Sequence, residues 1–188
     1  LSLCNKNLEY LNSYDGNNAK DYLLAKVCYA AKYEGDSIKT HYKQYEAQYP
    51  GSGSTTCTML ARSFADIGDI IRGKDLYIGN KKENKQRKQL EDNLKKIFEN
   101  IKKSDAKLTN LNDDQIREYW WELNRETVWK ALTCDAPEDA SYFRTTCSDT
   151  KGSSVANHYC RCNDDKPGHD KPNTDPPTYF DYVPQFLR

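Results

Sequence analysis

The sequence predicts an all-α fold: a bundle of long antiparallel helices, stapled by disulfides and joined by long irregular loops. Three observations carry this reading. Apolar residues recur at helical spacing in five separate stretches. No stretch of any length alternates apolar and polar residues as a strand would. Seven cysteines (Cys4, Cys28, Cys57, Cys134, Cys147, Cys160 and Cys162) are dispersed along the chain, which suits disulfides in an oxidising compartment.

The first helix is expected over about Ala19 to Tyr33, where Leu23, Leu24, Val27, Cys28 and Ala31 share a face. Gly35-Asp36-Ser37 is read as a break, with Asp36 or Ser37 capping a second helix through Tyr49 that carries Tyr42, Tyr45 and Tyr49 on one stripe. Residues Pro50 to Ser54 form a Gly/Ser loop without the Gly-Lys-Ser/Thr of a phosphate cradle. A third helix follows from about Thr56 to Ile71, with Leu60, Phe64, Ile67, Ile70 and Ile71 inward and Gly73 as a left-handed cap. After a polar loop through Gly79 and Asn80, Leu90, Leu94, Ile97, Phe98 and Ile101 mark a fourth helix from about Lys85 to Lys103. Asn112 with Gln115 resembles a capping box and opens a fifth helix, about Asp113 to Leu132. Its aromatic content, Tyr119, Trp120, Trp121 and Trp129, is read as scaffold, with one of the adjacent tryptophans at a subdomain seam. After Cys134 the period dissolves. Asp164 to Pro177 is expected to be a mobile loop, and Thr178 to Arg188 the start of another helix.

The 188 residues suffice for one domain or two small subdomains. Mean hydropathy is −0.97, and no apolar run reaches the roughly 18–20 residues of a membrane-spanning helix. No signal peptide opens the chain, and both ends read as internal to a longer protein.

The search for catalytic chemistry comes up empty. His41, His158 and His169 share no motif, and neither His-Glu-x-x-His nor Gly-x-Ser-x-Gly is present. The expectation is a protein that is not an enzyme and holds no cofactor. Zinc on Cys147, Cys160 and Cys162 with His158 or His169 is the rival to disulfides, but Cys160-Arg161-Cys162 is tighter than a zinc knuckle and has no second one.

Formal net charge is zero, yet the charge is unevenly spread. Arg72 to Lys103 carries eleven Lys/Arg against five Asp/Glu, and Asp135 to Pro177 carries five against eight. Lys81, Lys82, Lys85, Arg87, Lys88, Lys95, Lys96, Lys102 and Lys103 are expected on the face of the fourth helix opposite Leu90, Leu94 and Ile101. Such a stripe binds an anionic polymer by releasing counterions; outside a cell that polymer is a sulfated glycan, and nucleic acid is not expected. The bland alternative is a solvated helix face laced with Lys/Glu pairs.

Two long segments carry a family resemblance: Ala61–Tyr77 (ARSFADIGDIIRGKDLY) and Arg117–Cys134 (REYWWELNRETVWKALTC). With the ending Tyr179–Arg188 (YFDYVPQFLR), they resemble the Duffy-binding-like domains. Within these they are similar to the alpha class, which heads the extracellular part of Plasmodium falciparum erythrocyte membrane protein one. The resemblance implies a helical Duffy-binding-like fold cut to its second subdomain (1–134), a variable loop region with a disulfide (135–177) and the start of the third subdomain (178–188). It implies a malaria virulence antigen on the outer face of the infected erythrocyte, as part of a larger membrane-anchored protein. There the family mediates adhesion and rosetting through red-cell partners such as heparan sulfate, blood-group sugars or complement receptor one, and meets host antibodies. An antigenic spacer or shield with no ligand of its own in this segment is the alternative. No membrane insertion by this segment is implied. The resemblance also implies pairings: Cys28 with Cys134, Cys4 with Cys57, and Cys147 with Cys160, leaving Cys162 for a partner beyond Arg188.

Overall fold

The computed structural model describes residues 8, 18–48, 55–76, 80–149, 152–172 and 174–188, without the side chains of 43, 45, 46 and 149. Four helices dominate: α1 (Ala19–Gln48), α2 (Thr56–Arg72), α3 (Lys81–Ser104) and α4 (Asp113–Leu132). A small hairpin follows, β1 (Cys147–Asp149) and β2 (Gly152–Ser154), paired antiparallel with Cys147 opposite Ser154. It is too short for the strand alternation sought in the sequence to register. The chain closes on two short 3-10 turns, Phe180–Tyr182 and Gln185–Leu187. Among the described residues no helix is long and apolar enough to cross a membrane. Cys4, Tyr49, the loop at 50–54 and Gly79 lie outside the described residues, as does the Tyr45 side chain.

The first two expected helices are one. α1 runs unbroken through Gly35 because that glycine serves packing. A Cβ built there would sit 2.0 Å from the Leu132 carbonyl oxygen, so only glycine lets α1 touch the end of α4. Gly35→Ala is therefore expected to destabilise the fold by about 1–3 kcal/mol, as overpacking does. Helix propensity alone favours alanine by about 1 kcal/mol. The midpoint of urea unfolding gives the sign.

The later helices match their signals closely. Thr55 accepts from the Thr58 amide at the start of α2, and Gly73, at φ 70°, closes it with its N–H on Asp69 and Ile70. Asn80 and Glu83 form a capping box that starts α3 some four residues before the expected Lys85. Asn112 and Gln115 form the expected box at α4. The buried face of α3 is Leu90, Leu94, Ile97, Phe98 and Ile101, as the period predicts.

The core gathers on α4, against which α1, α2 and α3 all pack. Phe64 of α2 meets the rings of Trp121 and Trp129 at 5.1 and 5.2 Å, and Phe98 of α3 meets Trp120 at 6.1 Å. All three tryptophans are buried, which makes them scaffold. Trp121 is the one turned toward the C-terminal segment, where its Nε1 donates to Asp181 at 3.0 Å.

The disulfides correct the implied pairings. Cys57 joins Cys160, not Cys4, and Cys147 joins Cys162, not Cys160. Tyr159 and Cys160 both adopt left-handed backbone. Trp129 Nε1 holds the Cys160 carbonyl at 3.1 Å. This turn delivers Cys160 to the first turn of α2 and returns Cys162 to β1. The same three cysteines are thereby consumed as disulfides rather than as zinc-binding thiolates.

Cys28 and Cys134 are both free thiols, so that pairing is overturned as well. Cys134 donates to Asp135 at 3.2 Å, and its charged neighbours on α1, Lys32 and Asp36, lie one and two turns beyond Cys28. Burial pushes the Cys28 thiol up to about 11. Burial and the adjacent Asp135 do the same for Cys134.

The stretch expected to be mobile, Asp164–Pro177, is irregular but tied down over its described residues. Asp165 is buried and accepts from the Lys171 amide. Arg161 reaches Asp170 at 2.8 Å, and Lys130 of α4 donates to the Lys171 carbonyl. The final segment forms no α-helix. Pro184 separates its two turns: the first is held by Trp121 and Arg125 of α4 and Arg72 of α2, and Gln185 of the second bonds Asp75 and the Leu76 amide, just past α2.

Candidate functional site

The polar face of α3 follows from its sequence. With the apolar positions turned inward, lysines at 81, 88 and 95 recur every seven residues, about 10.5 Å apart along the outer surface. The structure does not leave all nine sequence candidates equivalent. Arg87 is half-buried and ion-paired to Asp75. Lys102 turns back and donates to the Leu111 carbonyl at 2.6 Å. Lys95 lies 3.9 Å from Glu91, a loose surface pair. Lys81, Lys82, Lys85, Lys88, Lys96 and Lys103 are exposed, with no ion pair among the described residues. Asp92 and Glu99 stand exposed on the same helix and interrupt the stripe. Among the described residues the face is therefore six cations without an ion pair, with two carboxylates among them. Its lysines are solvated, which keeps their charge available to a polyanion at little cost to the fold.

Two further clusters concern the scaffold. Arg117 is buried to 1% of its side chain and holds Glu91 through two bonds at 3.0 and 3.1 Å and Asp113 at 3.0 Å. This ties the middle of α3 to the start of α4. The second cluster fastens the C-terminal segment. Asp181, fully buried, accepts from Arg125 at 2.8 and 3.0 Å and from Trp121, while Arg125 also donates to the Thr178 carbonyl. Arg72 donates to the Asp181 carbonyl and pairs with Asp69 and Glu118. Arg188 pairs with Asp69 and lies 3.6 Å from Asp66. Sequence reasoning did not find this lock. Its signals were Asp181 inside an otherwise apolar stretch, and Arg125 one turn after Trp121 on a core-facing helix.

The model of the Duffy binding domain family matches residues 1–188. No curated protein matches. Among solved structures, the NTS-DBL1(alpha-1) domain of Plasmodium falciparum membrane protein 1 from the varO strain is 37% identical, with a TM-score of 0.67. The similarity covers 98% of this chain and 39% of that one. The NTS-DBL1-alpha and CIDR-gamma double domain of the same strain is 38% identical, with a TM-score of 0.68, over 97% of this chain and 25% of that one. The IT4var13 DBLbeta domain of the same P. falciparum protein class, described as ICAM-1-binding, is 30% identical, with a TM-score of 0.63, over 96% and 38%. The chain thus spans about two-fifths or less of the solved chains it matches.

Proposed function

We propose, from the premise that this chain belongs to the Duffy binding domain family, that it is part of a non-catalytic adhesion module on the outer face of an infected erythrocyte, and that the lysine face of α3 is its contact for a sulfated glycan. Residues 178–188 open the next subdomain in this reading. The observation that carries the glycan contact is the set of six exposed lysines on one helix that have no ion pair among the described residues. The two disulfides support an extracellular setting.

Heparin chromatography tests it. A polyanion engaging about six cations is expected to lose on the order of a thousandfold in affinity between 50 and 200 mM salt. Reversing Lys81, Lys82, Lys85 and Lys88 to Glu is expected to abolish retention while leaving the unfolding midpoint unchanged. Retention that survives this reversal, or no retention by the unmodified chain, removes the glycan reading.

A second reading, a protein receptor, is favoured by the DBLbeta relative described as ICAM-1-binding. It expects red-cell binding that resists salt and heparin and responds to exchange of the loops around Gly51 to Ser54 and Asp164 to Pro177. A spacer or antigenic shield binds neither.

A further inference from the structure

We propose that Tyr29 and Tyr33, on the outer face of α1, form an oxidative crosslinking site, where a one-electron oxidant joins the two rings into dityrosine and staples one turn of the helix. The site is independent of the glycan reading above.

Tyr29 and Tyr33 are four residues apart on α1, the spacing that sets two side chains one above the other on a helix. The phenols meet. Tyr29 Oη donates to Tyr33 Oη at 2.8 Å, and the ring centroids lie 4.6 Å apart at an interplanar angle of 59°. That separation is near the short end of the roughly 4.5–7 Å of paired aromatic rings. Both residues are open to solvent, at 59% and 46% exposure, so a diffusing oxidant reaches them. Tyr119 makes the contrast: it is 52% exposed, with no tyrosine ring against it among the described residues. The two disulfides support an oxidising compartment.

The chemistry follows from the contact. The hydrogen bond to Tyr33 holds the Tyr29 phenol above its ordinary value, so it meets the oxidant with its proton on. Each phenol gives up one electron and its hydroxyl proton. The resulting phenoxyl radicals carry spin on the ring carbons next to the oxygen, and those carbons flank oxygens that are 2.8 Å apart. One carbon–carbon bond forms between them. The two ring hydrogens at the new bond move to the oxygens and restore both hydroxyls. The co-reactant is hydrogen peroxide acting through a haem iron; it takes up the two electrons and two protons and leaves as two waters. The product is two hydrogens lighter than the pair. Because the rings are already held together, coupling within the chain outruns coupling between chains. The bond would span residues 30–32, so a cut after Lys32 no longer severs α1.

The probe is a haem peroxidase with hydrogen peroxide, applied to the intact chain. Free thiols are then alkylated and the chain is digested with trypsin. Cleavage after Lys26, Lys32 and Lys39 releases Tyr29 in peptide 27–32 and Tyr33 in peptide 33–39. Mass spectrometry is expected to find these two peptides joined, two hydrogens lighter than their sum, from protein that is still monomeric and shows dityrosine fluorescence. Tyr29→Phe and Tyr33→Phe each keep the ring and remove one phenol. Each is expected to abolish the joined pair and to leave the unfolding midpoint near that of the unmodified chain. In urea, where α1 is unfolded, the pair is expected to lose its advantage over other tyrosine couplings. Oxidation of Tyr119 without the joined pair overturns the site. So do crosslinks formed chiefly between chains, and so does an equal yield of the pair in urea, which would owe nothing to the fold.

Discussion

Replacing Asp181 by asparagine is expected to destabilise the fold by about 3–5 kcal/mol, because it strips the counter-charge from a buried arginine. The side chain has no exposure and neutralises Arg125, which is itself buried to 7% exposure. Burial works against the charge on Arg125, yet the Asp181 hydrogen bonds and charge outweigh it and hold the guanidinium above its ordinary value. Without the carboxylate that balance reverses. Asparagine preserves volume, so the measured loss is electrostatic and not a cavity. The backbone tie from Arg72 to the carbonyl of residue 181 remains available in the variant, which limits the damage to the side chain. Replacing both partners, Arg125→Met with Asp181→Leu, is expected to recover much of the loss, since an apolar pair of similar size needs no counter-charge. Urea denaturation of the single and double variants gives both numbers. A loss below about 1 kcal/mol for Asp181→Asn, the range of an exposed pair, removes the lock from the account of the fold.

The second large effect belongs to the Cys57–Cys160 disulfide. It closes a loop with a sequence separation of 103. A closed loop of about 100 residues is worth up to about 4.7 kcal/mol in the chain-entropy model, and one of about 15 residues about 3 kcal/mol. The double alanine variant at Cys57 and Cys160 is therefore expected to unfold at lower denaturant than the one at Cys147 and Cys162, whose separation is 15. Alanine at Cys28 or Cys134 breaks no crosslink, since both are free thiols. Equal losses from the two disulfide variants contradict the ordering. A collapse on replacing Cys28 alone contradicts the assignment of free thiols.

What was legible in the sequence were the features written locally. The inward face of α3 is a single unbroken period, and the Asn112/Gln115 box is a four-residue signal; both stand where expected. Features set by distant partners were not legible. Gly35 carries the local signature of a break, and only the proximity of Leu132 makes it a contact. Cys160 and Cys162 are separated by one residue, so no spacing argument tells which reaches Cys57. The left-handed turn at Tyr159 and Cys160 decides it. The candidate site divides in the same way. Helical periodicity placed the lysines on one face, while the loss of Arg87 and Lys102 from it depends on Asp75 and the Leu111 carbonyl, which no period reports.

The Cys57–Cys160 crosslink has a mechanical consequence. When the chain is pulled at points before Cys57 and after Cys160, tension passes through the sulfur bridge and bypasses residues 58–159. Extended fully, those residues would add roughly 350 Å of length. With the bridge intact they add none. All of α3, including its lysine face, lies inside the bypassed loop. That surface is thus one that stretching from the flanks does not unravel. A reducing environment would turn the same surface into a compliant tether.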